Sequence, residues 1–484
     1  MKKALRALLA LLVLAGAAVA GGAPAAADGR PGGEQLPDIA DRLRAIPGMS
    51  LVEEQPADGH RFLVLEYRQP IDHRRPWKGT FRQRLTVLHK GENRPTVFHT
   101  SGYGLNTGPA RSEPARLLDG NQVSMEYRFF APSRPRPADW SKLDIWQGAT
   151  DQHRIFRALR RVYAGAWIST GTSKGGMAAV YYRRFHPRDM DGTVAYVAPN
   201  DVIDAEDSAY DDFFANVGTE ECRDRLNAVQ REVFLRREEL VARYEERTRA
   251  AGGTFEVVGG ADRAFESAGL DLVWAWWQYN GEWQCPWVPE PSADTGELYD
   301  FLDETADLSF YTDQGLEYYT PYHYQAGTEL GSPSFGTPHL AGLLRHPDVH
   351  RPRSYVPREI PMRFHKWAMD DVDWWVRTRA ERMLFVYGEN DPWSAERFRT
   401  DRGCADCHVL VAPDAHHGAN ITMLAEEDRA TATAALLEWA GLGAGDTGAP
   451  GTPGTRRAEP YAPLAPYDAR LDRPDPAERR MMRP

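Results

Sequence analysis

The first two hundred residues alternate between two hydrophobic periods. Residues 62–67 and 82–89 (RQRLTVLH) place apolar side chains at every second position, the mark of half-buried strands. A Gly91-Glu92-Asn93 turn leads into 95–100 (PTVFHT), a further strand running into Ser101-Gly102-Tyr103-Gly104. Residues 123–130 (VSMEYRFF) predict another strand ahead of a proline-rich loop. The period then changes. Residues 143–162 carry apolar positions at helical spacing, 166–169 form a short strand, 171–176 a tight turn, 177–185 a helix, and 192–197 (GTVAYV) a strand. Strands alternating with helices predict a mostly parallel, doubly wound α/β sheet. Residues 28–60 show neither period and read as a polar leader.

The alternation stops near Asn200. Residues 201–373 are acidic, aromatic and helical in pattern, with 226–249 predicted as one amphipathic helix carrying Val229, Val233, Leu240 and Tyr244 on one side. Trp274, Trp276, Trp277, Trp283 and Trp287 cluster further on. The sheet pattern returns at 383–387 (MLFVY) and 409–411 and closes with a helix over 421–439. The organisation is a core domain in two parts, 28–200 and 374–440, with a helical cap at 201–373. Residues 441–484, rich in Pro, Gly, Asp and Arg, form an extended or disordered tail.

The N-terminus adds a compartment. A basic start (Lys2, Lys3, Arg6), a short apolar run over 8–20 and Ala25-Ala26-Ala27 make 1–27 a secretory signal cleaved near Ala27, too short to span a membrane. The reading is an exported, extracellular monomer with no membrane partner. The formal net charge of −11 argues against nucleic acid, which needs a basic face. Four cysteines in an exported chain predict disulfides. Three pairings are open; Cys222–Cys285 and Cys404–Cys407 are favoured because each lies within one segment.

Chemistry enters at Gly171-Thr172-Ser173-Lys174-Gly175, a G-x-S-x-G turn between a strand and a helix. Such a turn exposes the serine Oγ, and glycines on both sides leave room for close backbone approach. Ser173 is therefore the candidate nucleophile, and the Lys174 N–H a candidate oxyanion donor at the helix start. A serine needs a base and the base an orienting acid, here in the order Ser, Asp, His. Asp391 follows the strand MLFVY, and His417 lies in Asp414-Ala415-His416-His417-Gly418 after the next strand. His417 is preferred over His416 because the following glycine lets the loop bring its ring over the serine. The second oxyanion donor is assigned to Tyr103 or Gly104. Cys404-Ala405-Asp406-Cys407-His408 has the spacing of haem attachment, but it sits between Asp391 and His417, so a small disulfide loop is expected. No cofactor or metal is required.

The segments 167–177 (WISTGTSKGGM), 192–199 (GTVAYVAP), 126–130 (EYRFF) and those around Asp391 and His417 resemble the PS-10 peptidases of Streptomyces, the S37 family of serine peptidases. The resemblance covers nearly all of the mature chain, but not the tail from about Gly441. It implies an α/β-hydrolase core with a helical cap. It also implies a secreted tripeptidyl aminopeptidase, often cutting after proline, with Ser173, Asp391 and His417 as its triad. Peptides with a free N-terminus are the expected partners. Their ammonium group calls for carboxylates in a closed pocket, for which Glu206 and Asp207 in 201–212 (DVIDAEDSAYDD) are the candidates. The tryptophan-rich stretch is the candidate proline slot. The alternatives are an esterase or lipase, disfavoured by so acidic an insertion, and a non-catalytic binding protein, disfavoured by the intact Ser, Asp and His set.

Overall fold

Among the described residues nine strands form one mixed sheet: β1 Met49–Ala57, β2 His60–Pro70, β3 Thr80–His89, β4 Thr96–Thr100, β5 Asn121–Met125, β6 Trp167–Thr172, β7 Gly192–Tyr196, β8 Glu381–Gly388 and β9 Ala405–Ala412. Their spatial order is β1-β2-β3-β5-β4-β6-β7-β8-β9 in the computed structural model, which describes residues 37–442. The expected signal segment and nearly all of the expected tail lie outside the described residues. Strands β1, β2, β3 and β5 pair antiparallel, and from β5 onward every pair is parallel. Without the edge strand β1 the order reads 1-2-4-3-5-6-7-8. This is the α/β-hydrolase fold.

The twelve α-helices among the described residues are α1 Ile39–Arg44, α2 Glu113–Leu117, α3 Ile145–Leu159, α4 Lys174–Phe185, α5 Ser208–Asn216, α6 Glu220–Leu235, α7 Arg237–Ala250, α8 Ala261–Tyr279, α9 Thr295–Ala306, α10 Asp313–Gln325, α11 Ala368–Arg379 and α12 Glu426–Trp439. The pleat sends neighbouring strand residues to opposite faces. On one face Val97, Ile168, Val194, Leu384 and Val386 pack against Leu436 and Trp439 of α12. On the other, Phe98 and Trp167 meet Phe156 of α3 and Tyr182 of α4, and Ala195 and Phe385 lie in the cluster holding Val180 of α4 and Val376 of α11. Burial on both faces explains the near-continuous apolar runs of the central strands.

Between β7 and β8 the chain leaves the sheet and builds α5–α11. Most of these helices bury side chains against one another. Leu240 and Tyr244 of α7 join Leu272 of α8 and Leu302 of α9, and Leu226 and Val229 of α6 meet Trp276 and Trp277 of α8. A disulfide joins Cys222, in the first turn of α6, to Cys285 in the 3₁₀ turn after α8; a second joins Cys404 to Cys407 at the start of β9. No helix among the described residues is long and apolar enough to cross a membrane.

Four sequence expectations change. The leader contains α1 and β1, whose largely exposed edge position removes the alternation a buried strand would print. The helix expected over 226–249 is two helices, α6 and α7, broken at Arg236, whose guanidinium donates to the Ala293 and Pro291 carbonyls. The strand expected over 123–130 ends at Met125, and the chain turns on at Phe129, which takes a left-handed φ of 73°. The helix expected from 421 starts as a 3₁₀ turn, and α12 begins at Glu426.

Candidate active site

Ser173 stands between the end of β6 and the first residue of α4, with φ 57° and ψ −127°, a conformation rarely adopted by a residue with a Cβ. Its N–H donates to the Tyr196 carbonyl at 2.9 Å, which clamps the turn to β7. Gly171 and Gly175 are obligatory. A Cβ on Gly171 would collide with the Gly175 backbone, and one on Gly175 with the Thr100 carbonyl. The Lys174 N–H opens α4, where the first amides have no intrahelical acceptor.

Asp391 follows β8 and is fully buried. Its carboxylate accepts the Trp393 N–H at 3.1 Å and the Ser394 hydroxyl at 2.7 Å, which fixes the plane of the group. Both its oxygens lie 2.9 Å from Nδ1 of His417. The His417 N–H donates to the Gln278 carbonyl of α8, and Nε2 is buried without a hydrogen-bond partner. His416 turns away: its Nδ1 accepts the Gly418 N–H at 3.0 Å within its own loop.

The loop after β4 is held from below. The Lys174 side chain is buried, donates from Nζ to the Gly102 carbonyl at 2.7 Å and lies 3.9 Å from the Tyr127 ring centroid. Burial pulls its ammonium down to about 7, partly offset by Glu329. The Gly104 N–H donates to the Tyr318 hydroxyl at 3.1 Å, and the Tyr103 N–H to the Ser101 hydroxyl at 3.1 Å. Both expected donors therefore have acceptors in this structure.

Ser173 opens into a cavity of about 500 Å³ lined among others by Tyr103, Lys174, Asp201, Gln278, Tyr322 and Trp393. A second cavity shares Tyr322, Pro333 and Trp393 with it and is walled by Trp274, Phe310, Tyr311 and Tyr355. Of the clustered tryptophans, Trp274 lines this second cavity, Trp276 and Trp277 are buried in the insertion's core, and Trp283 and Trp287 are exposed.

The acidic candidates end up elsewhere. Glu206 is exposed and accepts the Ser208 N–H. Asp207 accepts the Ser334 N–H at 3.0 Å. Neither lines either cavity. The carboxylate that reaches the Ser173 cavity is Asp201, only 5% exposed. The sequence did hold one signal for it. Asp201 is the first acidic residue after β7, and open α/β sheets place their ligands at the carboxyl ends of strands.

Among the described residues, His153, His186 and Asp189 are the one group with metal-ligand atoms within 4.8 Å of each other. The imidazoles stack at 4.1 Å with planes 9° apart, so their in-plane lone pairs run parallel rather than converge, and Nδ1 of His153 bonds Asp189 at 2.6 Å. This arrangement does not fit a metal.

The model of the family described as PS-10 peptidase S37 matches residues 33–484. The chain belongs to the S37 family of serine peptidases. This S37 peptidase is 57% identical over 486 residues to the prolyl tri/tetrapeptidyl aminopeptidase of Streptomyces mobaraensis, with 100% of each chain covered. Among solved structures, it is similar to a proline iminopeptidase from Mycobacterium smegmatis, with 13% identity, 78% of this chain and 98% of that one covered, and a TM-score of 0.32. A peroxisomal α/β-hydrolase from Saccharomyces cerevisiae matches at 10% identity over 79% of this chain and 85% of its own, with a TM-score of 0.33.

Proposed function

We propose that this serine peptidase is an exported aminopeptidase that releases tri- or tetrapeptides from free N-termini, with proline preferred at the cleavage point. The observation that carries the reading is the buried Asp391–His417 pair, which leaves the His417 Nε2 without a partner while Ser173 stands on a strained turn at a cavity. Export is supported by the basic and apolar start of the chain and by the pairing of all four cysteines in disulfides. The 57% identity to a prolyl tri/tetrapeptidyl aminopeptidase supports the substrate class.

In the proposed mechanism His417 Nε2 takes the Ser173 proton as Oγ attacks the scissile carbonyl. Asp391 holds the imidazole with its proton on Nδ1 and stabilises the imidazolium that forms. The Lys174 N–H stabilises the oxyanion together with the Tyr103 or the Gly104 N–H, either of which exchanges its present acceptor, the Ser101 or the Tyr318 hydroxyl, for the substrate oxygen. His417 then protonates the leaving amine, and water hydrolyses the acyl-enzyme. The aromatic cavity shared through Tyr322 and Trp393 offers a flat apolar wall suited to a pyrrolidine ring.

The test is release of a chromophore from Xaa-Pro, Xaa-Yaa-Pro and Xaa-Yaa-Zaa-Pro derivatives, each with a free or an acetylated N-terminus. The expected order is the free tri- and tetrapeptides first. Equal turnover of acetylated forms, or activity on simple esters alone, would overturn the substrate class.

A further inference from the structure

The acidic segment after β7 divides its carboxylates between two tasks. Asp204, Asp207 and Asp211 each accept a backbone N–H from one loop, those of Ser332 at 2.9 Å, Ser334 at 3.0 Å and Gly336 at 2.6 Å. They fasten that loop beside the Ser173 cavity. Asp201 does something else. The residue is 5% exposed and lines the Ser173 cavity, and its Oδ2 has no hydrogen-bond partner. A buried carboxylate oxygen left unpaired is costly, and such groups in folded proteins are normally paired or bound to a ligand.

The surroundings select the sign of that ligand. The charged groups acting most strongly on Asp201 are Glu396, Asp204 and Asp207, all negative. Burial and this repulsion push the Asp201 carboxyl up to about 8, and burial with repulsion from Asp207 pushes Glu396 up to about 7. The cation in the same cavity, Lys174, is spent on the Gly102 carbonyl. Space for the acid is made by Gly331, where a Cβ would strike the Asp201 carboxylate. The result is an acidic pocket in the same cavity as the nucleophile, whose Asp201 carboxyl is held mostly protonated at neutral pH and ionises when a cation enters.

We infer that Asp201 is the anchor for the α-ammonium group of the peptide substrate, with Glu396 as an acidic neighbour. The inference rests on the aminopeptidase reading and replaces Glu206 and Asp207 as the recognition residues. An ammonium brings three donors to the unpaired oxygen and one positive charge to Asp201, whose strongest charged neighbours are all negative, while Arg399 already offsets part of the charge at Glu396. Fixing the N-terminus there makes the enzyme count residues from the chain end.

The experiment compares kcat/KM for one tripeptidyl-proline chromogenic substrate with a free and an acetylated N-terminus, in the wild type, Asp201→Asn and Asp201→Ala. Labelling of Ser173 by a fluorophosphonate reports an assembled site in each protein. The wild type is expected to prefer the free amine. In both variants the free-to-acetylated ratio is expected to fall about a hundredfold, the usual scale for removing one partner of a buried charge pair. Two variants guard against a folding defect in one of them. A ratio unchanged in either labelled variant overturns the role of Asp201 and leaves the aminopeptidase reading standing. A wild type indifferent to acetylation overturns that reading and the inference together.

Discussion

The two walls of the active-site cavity are built by different means. The sheet wall is backbone against backbone: Ser173 is clamped to Tyr196, and Gly171 and Gly175 approach Thr100 too closely for any Cβ. The opposite wall, from 201 to 211 and 332 to 336, is held by single carboxylate-to-amide contacts between exposed or half-buried side chains. The first has almost no freedom to vary. The second rests on contacts that can change one at a time, and on the proposed reading this is where discrimination between substrates is set.

The largest effect belongs to the sheet wall. Ser173→Ala is expected to lower kcat by about a millionfold with the melting temperature preserved or raised, since the strained φ remains and nothing is added to the core. Peptide turnover near wild type would remove Ser173 from the mechanism. Next comes Gly175→Ala, whose methyl meets the Thr100 carbonyl and the Ser101 backbone. It should cost about 3 kcal/mol of stability and at least about a hundredfold in kcat/KM, read by denaturant titration and steady-state kinetics. A neutral result would mean that the turn relaxes and the contrast between the walls is false.

On the insertion side, replacing Cys222 and Cys285 together by serine opens a loop of 63 residues. The loss should be about 2–4 kcal/mol in urea, with fluorophosphonate labelling of Ser173 intact below the transition. Asp201 offers a pH signature. Its folded pKa of about 8 stands above its ordinary 3.8, so the folded state binds more protons than the unfolded chain between those values. Stability from this group is therefore present at low pH and lost as pH rises towards 8. Asp201→Asn should gain on the wild type by about 2 °C in melting temperature from pH 5 to pH 8; a pH-independent difference would place the carboxyl in contact with water or a cation. The smallest effects separate the acidic neighbours. Asp207→Ala, which frees the Ser334 amide, should raise KM about fivefold, whereas Glu206→Gln on the surface should change KM less than about twofold. Equal effects would return Glu206 to the pocket.

The same contrast explains what could be read from the sequence. The strand, G-x-S-x-G turn and helix around Ser173 are local in the chain, so the glycines and the apolar period announce them together. Asp391 and His417 are distant from Ser173, but each follows a strongly apolar strand, β8 and β9, and strand ends locate their loops. The edge strand β1 was hidden because its exposed residues carry no alternation. The break between α6 and α7 was hidden because it depends on carbonyls more than fifty residues away. The division of labour in the acidic segment was only partly legible: the place of Asp201 just after β7 pointed to it, but the tasks of Glu206 and Asp207 were hidden for a related reason. They depend on which carboxylates the loop at 332–336 takes as partners, and the segment itself carries no mark of that loop.

One feature of the topology reaches beyond catalysis. The whole insertion leaves the sheet after β7 and returns at β8, and these strands are hydrogen-bonded neighbours. The pair is parallel, so the insertion departs at the carboxyl edge of the sheet and returns at the amino edge, one strand length away, while the sheet continues across β7 and β8 without a gap. A lineage can lengthen, shorten or exchange this segment while the strands beneath keep their register. Diet and chemistry can then diverge at separate rates within one gene, and a designer can graft a foreign insertion at the same seam without rebuilding the nucleophile turn.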